Sequence, residues 1–170
     1  MGDADARDHS PGMRARDLSG LSRHVVARAD EIAPGTCKIV TPGGREIGIF
    51  NLNGEYFALA NRCPHAGAEL CRGRIVGLVA SDGPNRYRVS RPGEFIRCPW
   101  HGWEYDIRTG QSWCDPKSVV ARRFRVAVEP GAELVKGPYV AESFSVEVEA
   151  DYLVIDVADA VTRGEPRRRS

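Results

Sequence analysis

The sequence predicts an all-β protein, either an antiparallel sandwich or a small barrel. Between the polar ends of the chain, short β-branched and aromatic runs alternate with turn residues rich in Gly, Pro and Asn. No apolar stripe with a period of 3.6 residues, the signal of an amphipathic helix, accompanies them. Short strands at this spacing favour packed antiparallel sheets.

The first half of the chain contains four strand signals. Residues 24–29 alternate weakly between polar and apolar side chains, and residues 37–41 are rich in β-branched side chains. Asn53-Gly54 is a tight turn of the kind that joins two antiparallel strands. The predicted strands of this half are 24–29, 37–41, 46–51 and Glu55–Ala60.

The second half contains further strand signals separated by turns. Residues 121–128 alternate between arginine and apolar side chains over most of their length. Ala150-Asp151 separates two apolar segments, which predicts a closing hairpin. The predicted strands of this half are 103–107, 121–128, 139–149 and 152–157.

Length and terminal composition predict one domain with polar ends. The chain has 170 residues, enough for a core without disulfide or metal support. Residues 1–20 and 161–170 are polar and aperiodic, which predicts a disordered arm and a basic disordered tail around a domain at 21–160. No apolar run approaches the roughly 20 residues of a membrane helix, and no secretory signal precedes the domain. We therefore expect a cytoplasmic protein that binds neither membrane nor nucleic acid.

Three of the five cysteines have no motif around them. These are Cys37, Cys71 and Cys114. Disulfides are rare in a reducing cytosol, so the sequence predicts buried, unpaired thiols at these positions.

The net charge of +1 conceals an uneven distribution. Residues 66–100 contain six arginines and three acidic residues, whereas residues 129–156 contain seven acidic residues and one lysine. Such a pattern is compatible with an ordinary solvated surface. It is equally compatible with a polarised molecule that is steered toward an acidic partner.

Two short runs supply a complete ligand set for a metal cluster. Cys63-Pro64-His65 and Cys98-Pro99-Trp100-His101 each combine one thiolate with one imidazole, and both runs continue toward a glycine. Two Cys and two His are the ligands of a [2Fe–2S] cluster in which imidazoles replace two of the four thiolates. A zinc site is the alternative, but the C-x-H spacing is not one that zinc sites favour.

These motifs, C-x-H and C-x-x-H, resemble those of Rieske [2Fe–2S] proteins of the ferredoxin and ring-hydroxylating-oxygenase type. The resemblance implies a Rieske-type antiparallel β-sandwich with a small inserted cluster-binding subdomain at about 61–117. It also implies a Rieske-type cluster with one iron on two cysteines and the other on two histidines. The implied cofactor and metal ligands are Cys63, His65, Cys98 and His101.

The resemblance also implies roles for residues around the ligands. Gly67 and Gly102 let backbone amides approach the sulfurs, and Pro116 belongs to a third loop that covers the cluster. Ala68 and Trp100 stand where high-potential members form a disulfide between the cluster loops, and Trp103 stands where those members have a serine. Tyr105 matches a tyrosine that hydrogen-bonds a ligand cysteine. The chain thus lacks the disulfide and the serine of the high-potential members and keeps only the tyrosine. We therefore expect a reduction potential toward the low end of the range of about −150 to +300 mV.

The gap between the motifs is long. Thirty-two residues separate His65 from Cys98, roughly twice the number in the smaller members of the family. The surplus falls at 77–94, where two turns flank a short predicted strand at 87–89. This insertion is either a partner-contact surface or neutral.

Function follows from what accompanies the motifs. Residues after His101 contain no histidine, so the chain does not supply the 2-His-1-carboxylate iron of an oxygenase. No G-x-G-x-x-G fingerprint for a nicotinamide or flavin is present. The sequence therefore predicts a soluble ferredoxin, not by itself an enzyme, that carries electrons from a flavin-dependent reductase to an oxygenase or other oxidoreductase. The alternatives are a Rieske subunit held permanently in a larger oxidoreductase, and a redox-sensing module.

Overall fold

The computed structural model describes residues 21–141, 147 and 149–158. The predicted terminal arm and basic tail lie outside these residues. No helix in the described ranges is long and apolar enough to cross a bilayer. The strands are β1 (Leu21–Arg28), β2 (Cys37–Val40), β3 (Ile47–Leu52), β4 (Glu55–Ala60), β5 (Arg74–Gly83), β6 (Arg86–Arg97), β7 (Glu104–Asp106), β8 (Arg123–Phe124), β9 (Val126–Pro130), β10 (Val140–Ala141) and β11 (Asp151–Ala158), with one short helix, α1 (Gly131–Leu134).

The strands form three sheets, which confirms the all-β prediction. The first sheet has the order β10-β1-β11-β9, the second β2-β3-β4-β8 and the third β5-β6-β7. Pairing is antiparallel, apart from a short parallel contact between β1 and β10. The second and third sheets follow the chain order, as expected for strands joined by short turns.

The second sheet is the middle layer of the molecule. Every residue of β3 is buried, and successive side chains point to opposite faces. Ile47 and Ile49 pack against Leu153 and other residues of the first sheet. Phe50 and its neighbours on the opposite face pack in a second core with the loops that follow β4 and β6. The loops that follow β4 and β6 thus pack on one face of the second sheet, and the first sheet covers its other face.

Most predicted strands are present, with two differences. The predicted strand 121–128 is divided into β8 and β9, which pair with different sheets, β4 and β11. The predicted closing hairpin is wrong, because β11 is bordered by β1 on one side and β9 on the other. Both of its hydrogen-bonding edges are therefore occupied, and β10, the described part of the other limb, pairs with β1 instead.

The predicted insertion is a long two-stranded hairpin. β5 and β6 pair from Arg74↔Arg97 at the base to Gly83↔Arg86 at the tip, with a register shift between Val76 and Leu78. β6 ends directly before Cys98, so this hairpin leads into the second motif. The sequence predicted only a short strand at 87–89 in this region.

Two of the spare cysteines are paired. Cys37 in β2 and Cys71 in the 3₁₀ turn Leu70–Arg72 form a disulfide, with their Cα atoms 5.8 Å apart. Gly48 lies beside this bridge, where a Cβ atom would fall 2.5 Å from the sulfur of Cys71. Cys114 is a free thiol, but it is exposed. The prediction of three buried, unpaired thiols is therefore wrong, since the fold brings together two cysteines that the sequence separates by 34 positions.

Candidate metal centre

The two motif loops have the same backbone design. In the first loop, the Cys63 N–H donates to the Ala68 carbonyl at 2.8 Å, and the Gly67 N–H donates to the Cys63 carbonyl at 2.8 Å. In the second loop, the Cys98 N–H donates to the Trp103 carbonyl at 2.7 Å, and the Gly102 N–H donates to the Cys98 carbonyl at 3.2 Å. In both loops, therefore, the cysteine is hydrogen-bonded to the residues four and five positions after it.

The antiparallel pairs that flank the loops also match. Arg62 pairs with Glu69 around the first loop, and Arg97 pairs with Glu104 around the second. The Arg97 guanidinium also contacts the Glu104 carboxylate at 2.6 Å. The two loops are therefore held at their bases in the same way, although one is an isolated bridge and the other joins two strands.

A glycine at the fifth position allows each loop to close. Gly67 has a φ of 84° and Gly102 has a φ of 71°, a left-handed conformation that most side chains disfavour. The structure thus gives both glycines a role in shaping the turn. Their amides bond to the cysteine carbonyls, and contact of these amides with sulfur stays a prediction.

The two thiols are buried, each 2% exposed. Burial raises the pKa of the Cys63 thiol, but hydrogen bonds from Tyr105 and from the backbone N–H groups of His65 and Ala66 outweigh it and place that pKa below its usual range. Burial also raises the pKa of Cys98, where the backbone N–H groups of Trp100 and His101 offset it only in part. The surroundings thus favour a thiolate at Cys63, whereas burial favours the protonated thiol at Cys98.

Tyr105 lies below the first loop and is fully buried. Its hydroxyl is 3.2 Å from the Cys63 sulfur. Burial and the hydrogen bond with Cys63 raise the pKa of the Tyr105 phenol, so the phenol keeps its proton. The hydroxyl is therefore the donor whenever Cys63 is a thiolate.

The two imidazoles are exposed and adjacent. The rings of His65 and His101 meet edge to face with their centroids 5.0 Å apart. Trp103 stacks on His65 at 4.9 Å, and the exposed Trp100 contacts His101 edge to face at 6.4 Å. The sulfurs are therefore directed into the protein and the imidazoles toward solvent.

The third loop lies next to β7. The Trp113 N–H donates to the Glu104 carbonyl at 2.8 Å, and the Ser112 N–H donates to the Val119 carbonyl at 3.1 Å. Asp115 organises the turn, since its Oδ1 accepts the Ser118 N–H at 3.1 Å. Pro116 itself is exposed, and its role as a cluster cover stays a prediction.

Sequence reasoning did not identify Asn61, which anchors the first loop. Asn61 is 1% exposed, its Oδ1 accepts the Cys71 N–H at 2.9 Å, and its carbonyl accepts the Leu70 N–H at 3.3 Å. It therefore connects the start of the loop to the turn that carries the disulfide. The only available signal was an asparagine at the end of a strand, which is common at turns.

The donor set fits the implied cluster. Two buried sulfurs, of which that of Cys63 is hydrogen-bonded to Tyr105, and two neighbouring imidazoles correspond to the soft and borderline ligands that iron–sulfur centres take. A β-sandwich that presents these four side chains on two matched loops places the chain in the class of iron–sulfur electron-transfer proteins.

Comparison with known proteins identifies the family. A family model for the Rieske [2Fe-2S] domain matches residues 22–125. The ferredoxin component of the p-cumate 2,3-dioxygenase system of Pseudomonas putida is 32% identical over 116 residues, which are 68% of this chain and 81% of that protein. The ferredoxin component of the naphthalene 1,2-dioxygenase/salicylate 5-hydroxylase systems of Ralstonia sp. is 27% identical over 100 residues, 59% of this chain and 81% of that protein.

The fold is shared more widely. The terminal oxygenase of carbazole 1,9a-dioxygenase from Novosphingobium sp. KA1 has a TM-score of 0.52 at 19% identity, covering 84% of this chain and 32% of that chain.

The protein described here belongs to the Rieske [2Fe-2S] domain family. It carries a Rieske-type [2Fe–2S] cluster and is a ferredoxin that transfers electrons.

Proposed function

We propose that Cys63 and Cys98 hold one iron of the cluster and that His65 and His101 hold the other. The observation that supports this assignment is the matched pair of loops, which places two buried sulfurs on one side and two exposed imidazoles on the other. The cluster-binding subdomain comprises about residues 61–117 of a domain at 21–160. The bound cluster supplies reversible one-electron chemistry at a potential toward the low end of the range of about −150 to +300 mV.

The side chains around this site determine where the electron enters and leaves. His65 and His101 are the ligands with exposed edges, so a partner protein makes its contact there. Tyr105 is buried and stabilises negative charge on the Cys63 sulfur. The carrier works in the cytoplasm, taking electrons from a flavin-dependent reductase and delivering them to an oxygenase or other oxidoreductase.

Metal analysis and electron spin resonance test the ligand assignment. The purified chain is expected to contain two irons and two acid-labile sulfides. After reduction it should give the rhombic signal with a low average g value that mixed His/Cys ligation produces. One bound zinc and no signal would overturn the assignment.

A second candidate function is a Rieske subunit held permanently in a larger oxidoreductase. Exposed Val79, Tyr87 and Val89 on the β5–β6 hairpin favour it, since lasting interfaces bury apolar side chains. Size-exclusion of the native protein separates the two candidates. A carrier elutes alone, and a subunit co-elutes with its enzyme.

A further inference from the structure

The β5–β6 hairpin carries an apolar face that is open to solvent. Val79 is paired with Val89, and Ser81 with Tyr87. Directly opposed residues share a face of a sheet, and so do residues two positions apart along a strand. Val79, Tyr87 and Val89 therefore lie side by side, and they are 64%, 72% and 62% exposed. We call these three residues the arm face.

The opposite face of the hairpin has a different character. Leu78, which pairs with Ser90, is buried. Arg86 and Arg88 alternate with Tyr87 and therefore point away from the arm face. The outer part of the hairpin thus has one buried apolar residue and leaves three apolar side chains uncovered, whereas Phe95 and Ile96 at its base are buried in the protein. A contiguous apolar patch of this kind marks an interaction site.

The arm face is separate from the exposed imidazoles. Val79 and Ser81 are five and seven residues along β5 from Arg74, which pairs with Arg97 directly before Cys98. At about 3.3 Å per residue, the arm face lies roughly 17–23 Å from the start of the second motif loop. A contact there adds to the imidazole contact and does not replace it.

Charge and size argue against a second copy of this chain as the occupant. The hairpin segment 74–97 contains five arginines and two acidic residues, so two copies would bring like charges together. Three side chains are also few for a stable dimer, which buries about 800 Å² per partner. Transient redox complexes use smaller interfaces.

We propose that the arm face docks this ferredoxin onto a redox-partner protein whose matching surface is apolar with acidic residues around it. This inference rests on the proposed function, since it presumes that electrons pass to or from another protein. Arg86, on the opposite face of the tip, is exposed and makes no ion pair with any carboxylate of the described residues, so its charge attracts an acidic partner toward the hairpin without contacting the arm face. The arm contributes affinity, while the imidazole edges carry the electron.

The experiment measures electron transfer between the purified chain and the purified flavin-dependent reductases and oxygenases of its source organism. The test variant is Val79→Thr/Tyr87→Thr/Val89→Thr, which keeps side chains compatible with a strand. The matched control is Val128→Thr, a 46% exposed strand valine in a different sheet. We expect the half-saturating partner concentration to rise about tenfold in the triple variant, with the maximal rate and the spin-resonance spectrum unchanged, and to stay constant in the control.

Two further variants keep the proposal testable if the triple variant does not fold. Tyr87→Ser and Arg86→Glu each change one exposed side chain and are expected to raise the half-saturating concentration severalfold. An unchanged value in both would overturn the arm proposal, as would a dimer of the wild-type chain that the triple variant abolishes in sedimentation. Failure of the wild-type chain to transfer electrons at all would instead overturn the proposed function.

Discussion

At the residue level, the four proposed ligands differ sharply in environment. Cys63 and Cys98 are buried, whereas His65 and His101 are exposed. Hydrogen bonds to the sulfurs and solvent exposure are two of the quantities that set the potential of an iron–sulfur centre. The two kinds of ligand can therefore be varied separately by mutation.

Replacing an imidazole by a thiolate should lower the reduction potential. In His101→Cys, a third negative ligand makes the oxidised cluster anionic, so adding an electron becomes less favourable. Protein-film voltammetry is expected to show a potential lower by at least about 100 mV, because the gap of about 250 mV or more between Rieske and all-cysteine clusters reflects two such exchanges. An unchanged potential in a protein that retains its cluster would show that His101 is not a ligand.

Removing the phenol oxygen should have a smaller effect of the same sign. Tyr105→Phe deletes the hydroxyl that lies 3.2 Å from the Cys63 sulfur. A hydrogen bond to a charged acceptor contributes about 1.5 kcal/mol or more, which corresponds to several tens of millivolts for one electron. Voltammetry of Tyr105→Phe beside Tyr139→Phe, a tyrosine remote in sequence, measures the difference. Equal potentials would contradict the assigned donor role.

The sequence predicted the four ligands that we propose, but not all of the residues that hold their loops. Cys63, His65, Cys98 and His101 could be proposed because their chemistry suits metal binding and their spacing is local. Asn61 was not, because its hydrogen bonds to the 70–71 turn exist only after the chain has folded back. The spacing of neighbouring residues can be read directly from a sequence, whereas contacts between distant residues cannot.

At the level of elements, the disulfide holds the first loop region to the sandwich. It joins β2 to the 3₁₀ turn Leu70–Arg72, which Asn61 connects to the start of the first motif loop. Nothing in the sequence around Cys37 or Cys71 indicates the pairing, because register between distant elements brings them together. The strand boundaries, by contrast, were legible from local turn residues, as β4 illustrates.

Removing this disulfide should destabilise the protein. A bridge that closes a loop of 34 positions contributes roughly 3–4 kcal/mol in the chain-entropy description. We expect Cys37→Ser/Cys71→Ser to lose about that much free energy of unfolding in urea and to release iron faster at 37 °C. The matched control is Cys114→Ser, which removes an exposed free thiol and should leave both quantities unchanged. Equal stability of the double variant and the control would refute a structural role for the bridge.

The β5–β6 hairpin shows a limit of pattern reading. Turn residues at both ends of 77–94 were visible in the sequence, but the bulge that lets β6 run from Arg86 to Arg97 was not. Arg91 stabilises this bulge by contacting Asp106 at 2.6 Å, while Asp106 also accepts the Arg108 N–H at 2.8 Å. The base of the hairpin is thereby attached to the strand that follows the second motif loop.

At the level of the whole molecule, charge is distributed unevenly along the chain. Several arginines of the basic segment are neutralised locally, as in the pairs Arg72–Glu69 and Arg97–Glu104. In the described structure Arg74 and Arg86 have no such carboxylate, which leaves a positively charged surface at the base and at the tip of the β5–β6 hairpin.

This surface predicts a salt effect on partner encounter. Steering between unlike charges is screened over about 10 Å at 0.1 M salt. The second-order rate of electron transfer to an acidic partner is expected to fall about tenfold or more between 10 and 500 mM salt, measured by stopped-flow absorbance. Arg86→Glu should flatten this dependence. A rate that does not change with salt would exclude electrostatic steering.

The middle sheet has a consequence for how the molecule melts. Because β3 contributes side chains to both cores, neither core can open while the other stays intact. Unfolding should therefore be a single cooperative transition. The visible absorbance of the iron centre would then fall at the same temperature as the far-ultraviolet signal of the strands, so the colour of this ferredoxin reports its global unfolding.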